Sequence, residues 1–175
     1  MITQNNVVLP ATTMEIRGLT VSRPSAACIA SGRQTIDPRS WRADYRGLLA
    51  IRSSAGPFDE AALFSGAVLE ALSMAPGQAF HRGAIVATAR LAACHPQSPD
   101  CDSAWCEAAA PWHWELADIH PLAHPIFCKG GPGLWRPPAG LRERLRSHIE
   151  AVSSVLPAPD ARRETTPSNS REGKR

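Results

Sequence analysis

Gly32-Arg33-Gln34-Thr35-Ile36-Asp37-Pro38-Arg39-Ser40-Trp41-Arg42, running on to Tyr45-Arg46-Gly47, is the stretch on which the reading of the fold turns. A short helical run precedes it and closes at Gly32. Apolar and polar residues then alternate as in a half-buried strand, which puts Thr35, Asp37 and Arg39 on one face. Arg39, Arg42 and Arg46 crowd around Trp41 and Tyr45. Guanidinium forks, one carboxylate and flat rings together suit a phosphate-bearing or base-bearing ligand. A solvated strand face with one packed tryptophan accounts for the same residues without a ligand.

Working back toward the N-terminus, Ile16 to Ser22 reads as a first strand with Leu19 and Val21 on one face. Pro24 suits a first helical turn and Gly32 a stop, so Ser25–Ser31 is predicted as a short helix burying Ala26, Cys28 and Ile29. Cys28 is thereby a core thiol and not a nucleophile, having no basic partner beside it in sequence. Residues 1–13 are polar without period and read as a flexible leader.

Working forward, Leu48-Leu49-Ala50-Ile51 is a continuous apolar run, the mark of a strand buried on both sides. A helix is predicted from Pro57 to about Met74, with Phe58, Ala61, Leu63, Phe64, Ala67, Val68, Ala71 and Leu72 as its core stripe. Strands follow at Gly83 to Cys94 and Trp112 to Asp118, separated by a loop over residues 95–111. Leu141, Leu145, Ile149 and Val152 recur at helical spacing, so residues 141–156 form a C-terminal helix. Pro, Ser, Thr and charges dominate residues 157–175, which read as a disordered tail.

The loop carries His95, Cys101 and Cys106, and with Cys94 these could be drawn as zinc ligands. The spacing matches none of the common short-spaced pairs, and Cys94 belongs to a strand of core residues. Scattered loop thiols are the simpler reading, so no metal and no cofactor is assigned. Five cysteines are an odd number, and nothing else points to secretion, which favours reduced thiols.

Composition bounds the rest. At 175 residues, 43 % apolar and 20 % charged, the chain suits one soluble globular domain with a tail. No apolar run is long enough to span a membrane and the N-terminus has no signal-peptide pattern, so a cytoplasmic address is expected. The net charge is only +3, but residues 17–52 hold seven arginines against Asp37 and Asp44. That local excess favours a nucleic-acid or nucleotide partner.

Several of these runs resemble the ASCH domain, a β-barrel relative of the PUA RNA-binding domains. Its Gly-x-Lys-x-x-Glu-x-Arg signature, followed by Ser-Trp-Arg and Tyr-Arg-Gly, is matched by Gly32, Gln34, Asp37, Arg39, Ser40-Trp41-Arg42 and Tyr45-Arg46-Gly47. The lysine has become Gln34 and the glutamate Asp37. Gly83 to Cys94 is similar to the family's Gly-x-Ile-Val-Gly-x-x-Glu-Leu-x-x-Cys strand, with Arg90 in place of glutamate. Trp112 to Asp118 and Pro125-Ile126-Phe127-Cys128-Lys129-Gly130 through Trp135 resemble its closing runs. The likeness covers residues 16–138. It implies an α+β fold, a PUA-like β-barrel domain over residues 14–140 with flanking helices.

Some small ASCH proteins are amidohydrolases that remove the acyl group from acylated cytidine, and the catalytic positions carried over from them are Gln34, Asp37 and Arg90. A neutral amide cannot titrate, a carboxylate is not a hydroxyl nucleophile, and a guanidinium cannot accept a proton. The resemblance therefore points to a non-catalytic RNA- or nucleotide-binding module. Arg23, Gln34, Asp37, Arg39, Trp41, Arg42, Arg46, Arg90 and Lys129 are its candidate ligand contacts. Two alternatives stand beside it: an amidohydrolase or ribonuclease with a rearranged site using His113, Glu115 or Asp37, and a protein-interaction or vestigial domain. In a purely structural version, Asp37 pairs internally with Arg39 or Arg90 and binds nothing.

Overall fold

The structure, a computed structural model, describes residues 15–101 and 103–155. The leader and the tail expected at the two ends lie outside these residues. The fold is α+β: among the described residues, six strands form one curled, half-barrel sheet with three helices against it.

The elements are β1 (Ile16–Val21), α1 (Arg23–Ala30), β2 (Ile36–Arg39), β3 (Gly47–Ser53), α2 (Gly66–Met74), β4 (Ala84–Pro96), β5 (Trp112–Phe127), β6 (Leu134–Trp135) and α3 (Ala139–Val155). Their order across the sheet is β2-β5-β4-β3-β1-β6. Among the described strands, only β1 and β3 run parallel, joined by a crossover through α1 and β2; the other pairs are antiparallel. Irregularities in register between β3 and β4, and at three places between β4 and β5, bend these strands and curl the sheet. The sheet stays open at β2 and β6 among the described residues.

α1 starts two residues earlier than the sequence reading placed it. Ser22 caps it by accepting from the Ser25 amide, and Pro24 occupies its first turn. Gly32, at φ +77°, ends it in the left-handed region that glycine enters without penalty. β3 alternates between two cores, as a strand buried on both faces must. Leu49 and Ile51 join Leu19, Ile29, Val86 and Trp114 under α1. Ala50 joins Ile16, Ile85, Leu122, Ile126 and Leu145 under α3.

Two expectations need correction. The helix expected over residues 57–74 is two pieces, a 3-10 turn at Glu60–Phe64 and α2, separated by Ser65. Ser65 caps the second piece through the Val68 amide, and Gly66 is too weak a helix former to carry the helix across the join. The stripe therefore breaks: Ala71 is its one fully buried member and Phe64 is 94 % exposed. The strand expected to end at Asp118 instead runs to Phe127, through Pro121 and Pro125. Among the described strands, β2 is in register with residues 112–115 of β5 and none pairs with β5 on that side at Pro121 or Pro125, where a proline is tolerated. Asp118, at φ +49°, absorbs the bend.

β6 closes the β1 edge. Trp135 lies opposite Gly18, and a methyl group on Gly18 would overlap the indole. The indole N–H donates to Thr20 Oγ1 at 3.2 Å.

Candidate functional site

A cleft of about 530 Å³ opens between α1, β2 and the chain before α2, with the loop between β4 and β5 as its far wall. Its size falls within the roughly 300–1,000 Å³ of small-molecule sites. Gln34, Asp37 and Arg39 line it, which brings together the centre of the signature stretch. Gln34 is seated by its own amide, which donates to Cys28 O at 3.1 Å, and β2 is zipped onto β5 with Asp37 opposite Trp114.

Asp37 is almost wholly buried, and Arg39 Nε donates to its Oδ2 at 2.7 Å. Arg39 in turn rests over the Trp114 ring at 5.6 Å. Burial pushes the Asp37 carboxyl up from its ordinary value; Arg39 pulls it back, and the nearby charge of Glu107 adds to the rise, leaving it raised. Gln34, also buried, spends its Nε2 on Ile36 O at 3.2 Å and keeps its carbonyl oxygen as an acceptor. Asp37 keeps lone pairs beyond the one Arg39 takes. The floor of the cleft is therefore rich in acceptors.

The walls add Thr20, Ser22 and Ser25 hydroxyls, the half-buried Trp105 indole, and the carboxylates of Asp59 and Glu107. Against these three acids with Asp37 included, Arg39 is the single cation among the described lining residues. Such a cleft disfavours a phosphate inside it and favours a neutral or cationic group with N–H donors. Cys28 also lines it, but burial pushes its thiol up to about 11, and Sγ contacts Val68 O at 3.9 Å. It is inert as a nucleophile at neutral pH.

The other expected contacts lie outside the cleft. Arg23, at the start of α1, stacks over Phe58 at 5.3 Å, and its buried Nε has no hydrogen-bond partner. Trp41 meets Trp114 edge-on at 4.6 Å and its carbonyl accepts the Trp114 indole N–H, so it packs more than it projects. Arg42 lies over Trp112 at 5.9 Å and 3.6 Å from Asp44. Arg46 donates to the Ala43 and Tyr45 carbonyls. Arg90 stands between core residues Ala89 and Leu91, so strand alternation turns it to the other face, where it pairs with Asp118 at 2.6 Å. Lys129 is exposed in the turn after β5. Gln34 and Asp37 share one site, and Arg90 does not join them.

Sequence reasoning missed Ser22, Ser25, Asp59, Trp105 and Glu107. A serine two residues before Pro24 is an N-cap signal that could have found Ser22 and, three residues on, Ser25; the other three come from loops whose return to the cleft has no local signal. The seven arginines of residues 17–52 also do not merge into one open basic face. Arg17 pairs with Glu15, Arg33 with Glu70, and Arg52 donates to Cys128 O, in addition to the contacts above.

Comparison with protein-family models finds none that matches the chain, and comparison with curated proteins finds none either.

Proposed function

We propose that the chain is an ASCH-like binding module that takes a nucleobase, free or in an unpaired stretch of RNA, into the cleft beside Asp37. The carrying observation is the pair of buried side chains on its floor, Gln34 with a spare carbonyl and Asp37 with spare lone pairs. A base edge with adjacent N–H donors, such as that of guanine, satisfies both acceptors. Trp105 offers a stacking surface that tolerates any base. The sugar and phosphates stay out of the acidic interior, and Arg42, largely exposed, is available to the phosphates of a longer RNA. The resemblance of residues 32–47 to the ASCH signature favours the same ligand class. We place this function in the cytoplasm.

Titration with the four common nucleosides, read by tryptophan fluorescence, tests the proposal. A purine or pyrimidine with N–H donors quenches the wild type, and quenching weakens in Trp105→Phe. Equal quenching in both proteins, or none, counts against it.

A second reading, hydrolysis, has one observation in its favour: burial pushes the Asp37 carboxyl up, with a small addition from the Glu107 charge, in a cleft that both line, and so makes Asp37 a candidate acid. His113 and Glu115, the other proton carriers considered for it, do not line the cleft. Turnover of acylated nucleosides that disappears in both Asp37→Asn and Glu107→Gln would support it over binding alone.

A further inference from the structure

The hairpin formed by β4 and β5 gathers a second set of chemical groups, away from the cleft floor. His95, near the end of β4, lies directly opposite His113, near the start of β5. The connecting loop leaves the sheet between them and carries Cys101 and Cys106. Ligand atoms of His95, Cys101 and His113 all lie within 4.8 Å of one another. Cys101 is joined to Cys106 as a disulfide, Cα to Cα 6.2 Å, so a second sulfur adjoins that cluster through Cys101. That bond corrects the expectation of reduced thiols throughout. The sequence reading tried Cys94 as a ligand; the fold supplies His113 instead.

The histidines are prepared in the way metal-binding histidines are. His113 is fully buried; its Nε2 lies 3.1 Å from the Glu107 carbonyl, and its Nδ1 is buried without a hydrogen-bond partner. His95 Nδ1 lies 2.8 Å from the Pro96 carbonyl. A carbonyl only accepts, so those two nitrogens carry the protons, and the lone pairs sit on His113 Nδ1 and His95 Nε2. A backbone carbonyl that fixes the tautomer is the usual outer support of a zinc-bound imidazole. The rings stand 5.5 Å apart at 87°, so they do not stack on each other. An orphaned nitrogen in a fully buried ring is costly to keep unless something coordinates it.

We propose that in the reduced protein His95, Cys101, Cys106 and His113 bind one Zn²⁺. Reduction takes two electrons and two protons and converts the disulfide to two thiols; these lose their protons as two Zn–S bonds form. Two thiolates balance the charge of the ion, and two neutral imidazoles complete a tetrahedral site. With Zn–S near 2.3 Å and Zn–N near 2.0–2.1 Å, ligand atoms stand about 3.3–3.8 Å apart, so the His95, Cys101 and His113 atoms draw in slightly while the two sulfurs, once their bond is opened, separate to that spacing. Cys101-x4-Cys106 lies at the long end of the spacing seen in structural sites. Glu115, with Oε1 3.6 Å from His95 Nε2, adds negative charge beside the ion.

The ion would fasten the loop that supplies Ala104, Trp105 and Glu107 to the cleft wall. It stands whether or not the cleft takes a base.

The full chain is reduced with a phosphine, desalted, loaded with Zn²⁺ or Co²⁺ and assayed for metal content and absorption. The expected result is one ion per chain, with thiolate-to-cobalt charge transfer and the intense visible bands of tetrahedral Co²⁺. Cys101→Ser and Cys106→Ser each lose the thiolate band and most of the metal, His95→Gln weakens binding, and Cys94→Ser leaves it unchanged. Circular dichroism of each variant checks that the sheet persists. The proposal is overturned if the reduced, folded wild type takes up no metal. Uptake that survives Cys101→Ser with Cys106→Ser, or that needs Cys94, overturns it equally, as does a disulfide that the phosphine cannot open.

Discussion

Arg39 holds Asp37 by a 2.7 Å hydrogen bond at the inner end of β2, with the carboxyl almost fully buried and the guanidinium about one-fifth exposed. The pair anticipated as a purely structural substitute is therefore real, and it also forms part of the cleft floor. Both roles are compatible, because Arg39 occupies only part of what the carboxylate can accept.

The first prediction concerns pH. Burial outweighs Arg39 and raises the Asp37 pKa above its ordinary 3.8. Between that value and the higher folded-state one, the folded protein keeps a proton that the unfolded chain has lost. Stability contributed by this group is present at low pH and falls as pH rises through the window. Asp37→Asn removes the dependence, so urea midpoints of wild type and variant should move in the variant's favour as pH increases from about 4. A difference that stays flat or runs the other way would show that the pair with Arg39 dominates.

The second concerns the sheet edge. Trp135 covers Gly18, and Gly18→Ala forces the indole away. Overpacking of this kind costs about 1–3 kcal/mol. The loss should appear in chemical denaturation, together with a changed Trp135 environment in near-ultraviolet circular dichroism. An unchanged midpoint would mean that β6 is loosely attached.

The third separates phosphate contact from folding. Arg42 is 63 % exposed and its ion pair with Asp44 spans 3.6 Å, so Arg42→Ala should change stability by less than about 0.5 kcal/mol. If Arg42 meets an RNA phosphate, the salt slope of oligonucleotide binding falls by about one unit. An unchanged slope removes Arg42 from the contact surface.

How much of this was legible in sequence depends on the range of the interaction. The alternation after Gly32 revealed β2 because alternation is local, but it set Asp37 on the polar face with Thr35 and Arg39, and its burial comes from the walls that close over β2. Leu48 to Ile51 revealed a strand between two cores for the same reason. The break at Ser65 and Gly66 was written in residue types, but eight apolar positions at helical spacing outweighed it. Strand continuity through Pro121 and Pro125 depended on how far the described β2 reaches along β5, a property of sheet order. Glu107, Trp105 and the meeting of His95 with His113 depend on a long loop returning to the sheet, which no local pattern encodes.

The fourth prediction is chemical. The Cys28 thiol, pushed up to about 11, stays protonated and unreactive in the folded protein. Iodoacetamide near neutral pH should leave it unlabelled until urea unfolds the chain. Acylcytidine should not be turned over, and Gln34→Lys should not restore turnover, since Arg90 is held by Asp118 on the other face. Hydrolysis that requires Cys28 would contradict both statements.

The most direct test of the central claim is calorimetric titration of nucleosides into wild type and Asp37→Asn. Hydrogen bonds to a charged group contribute about 1.5–3 kcal/mol, so the account predicts saturable binding with one site per chain, weakened about tenfold to a hundredfold by the substitution. Binding that is indifferent to Asp37→Asn, or no heat with any nucleoside while the variant and wild type are both folded, would contradict it.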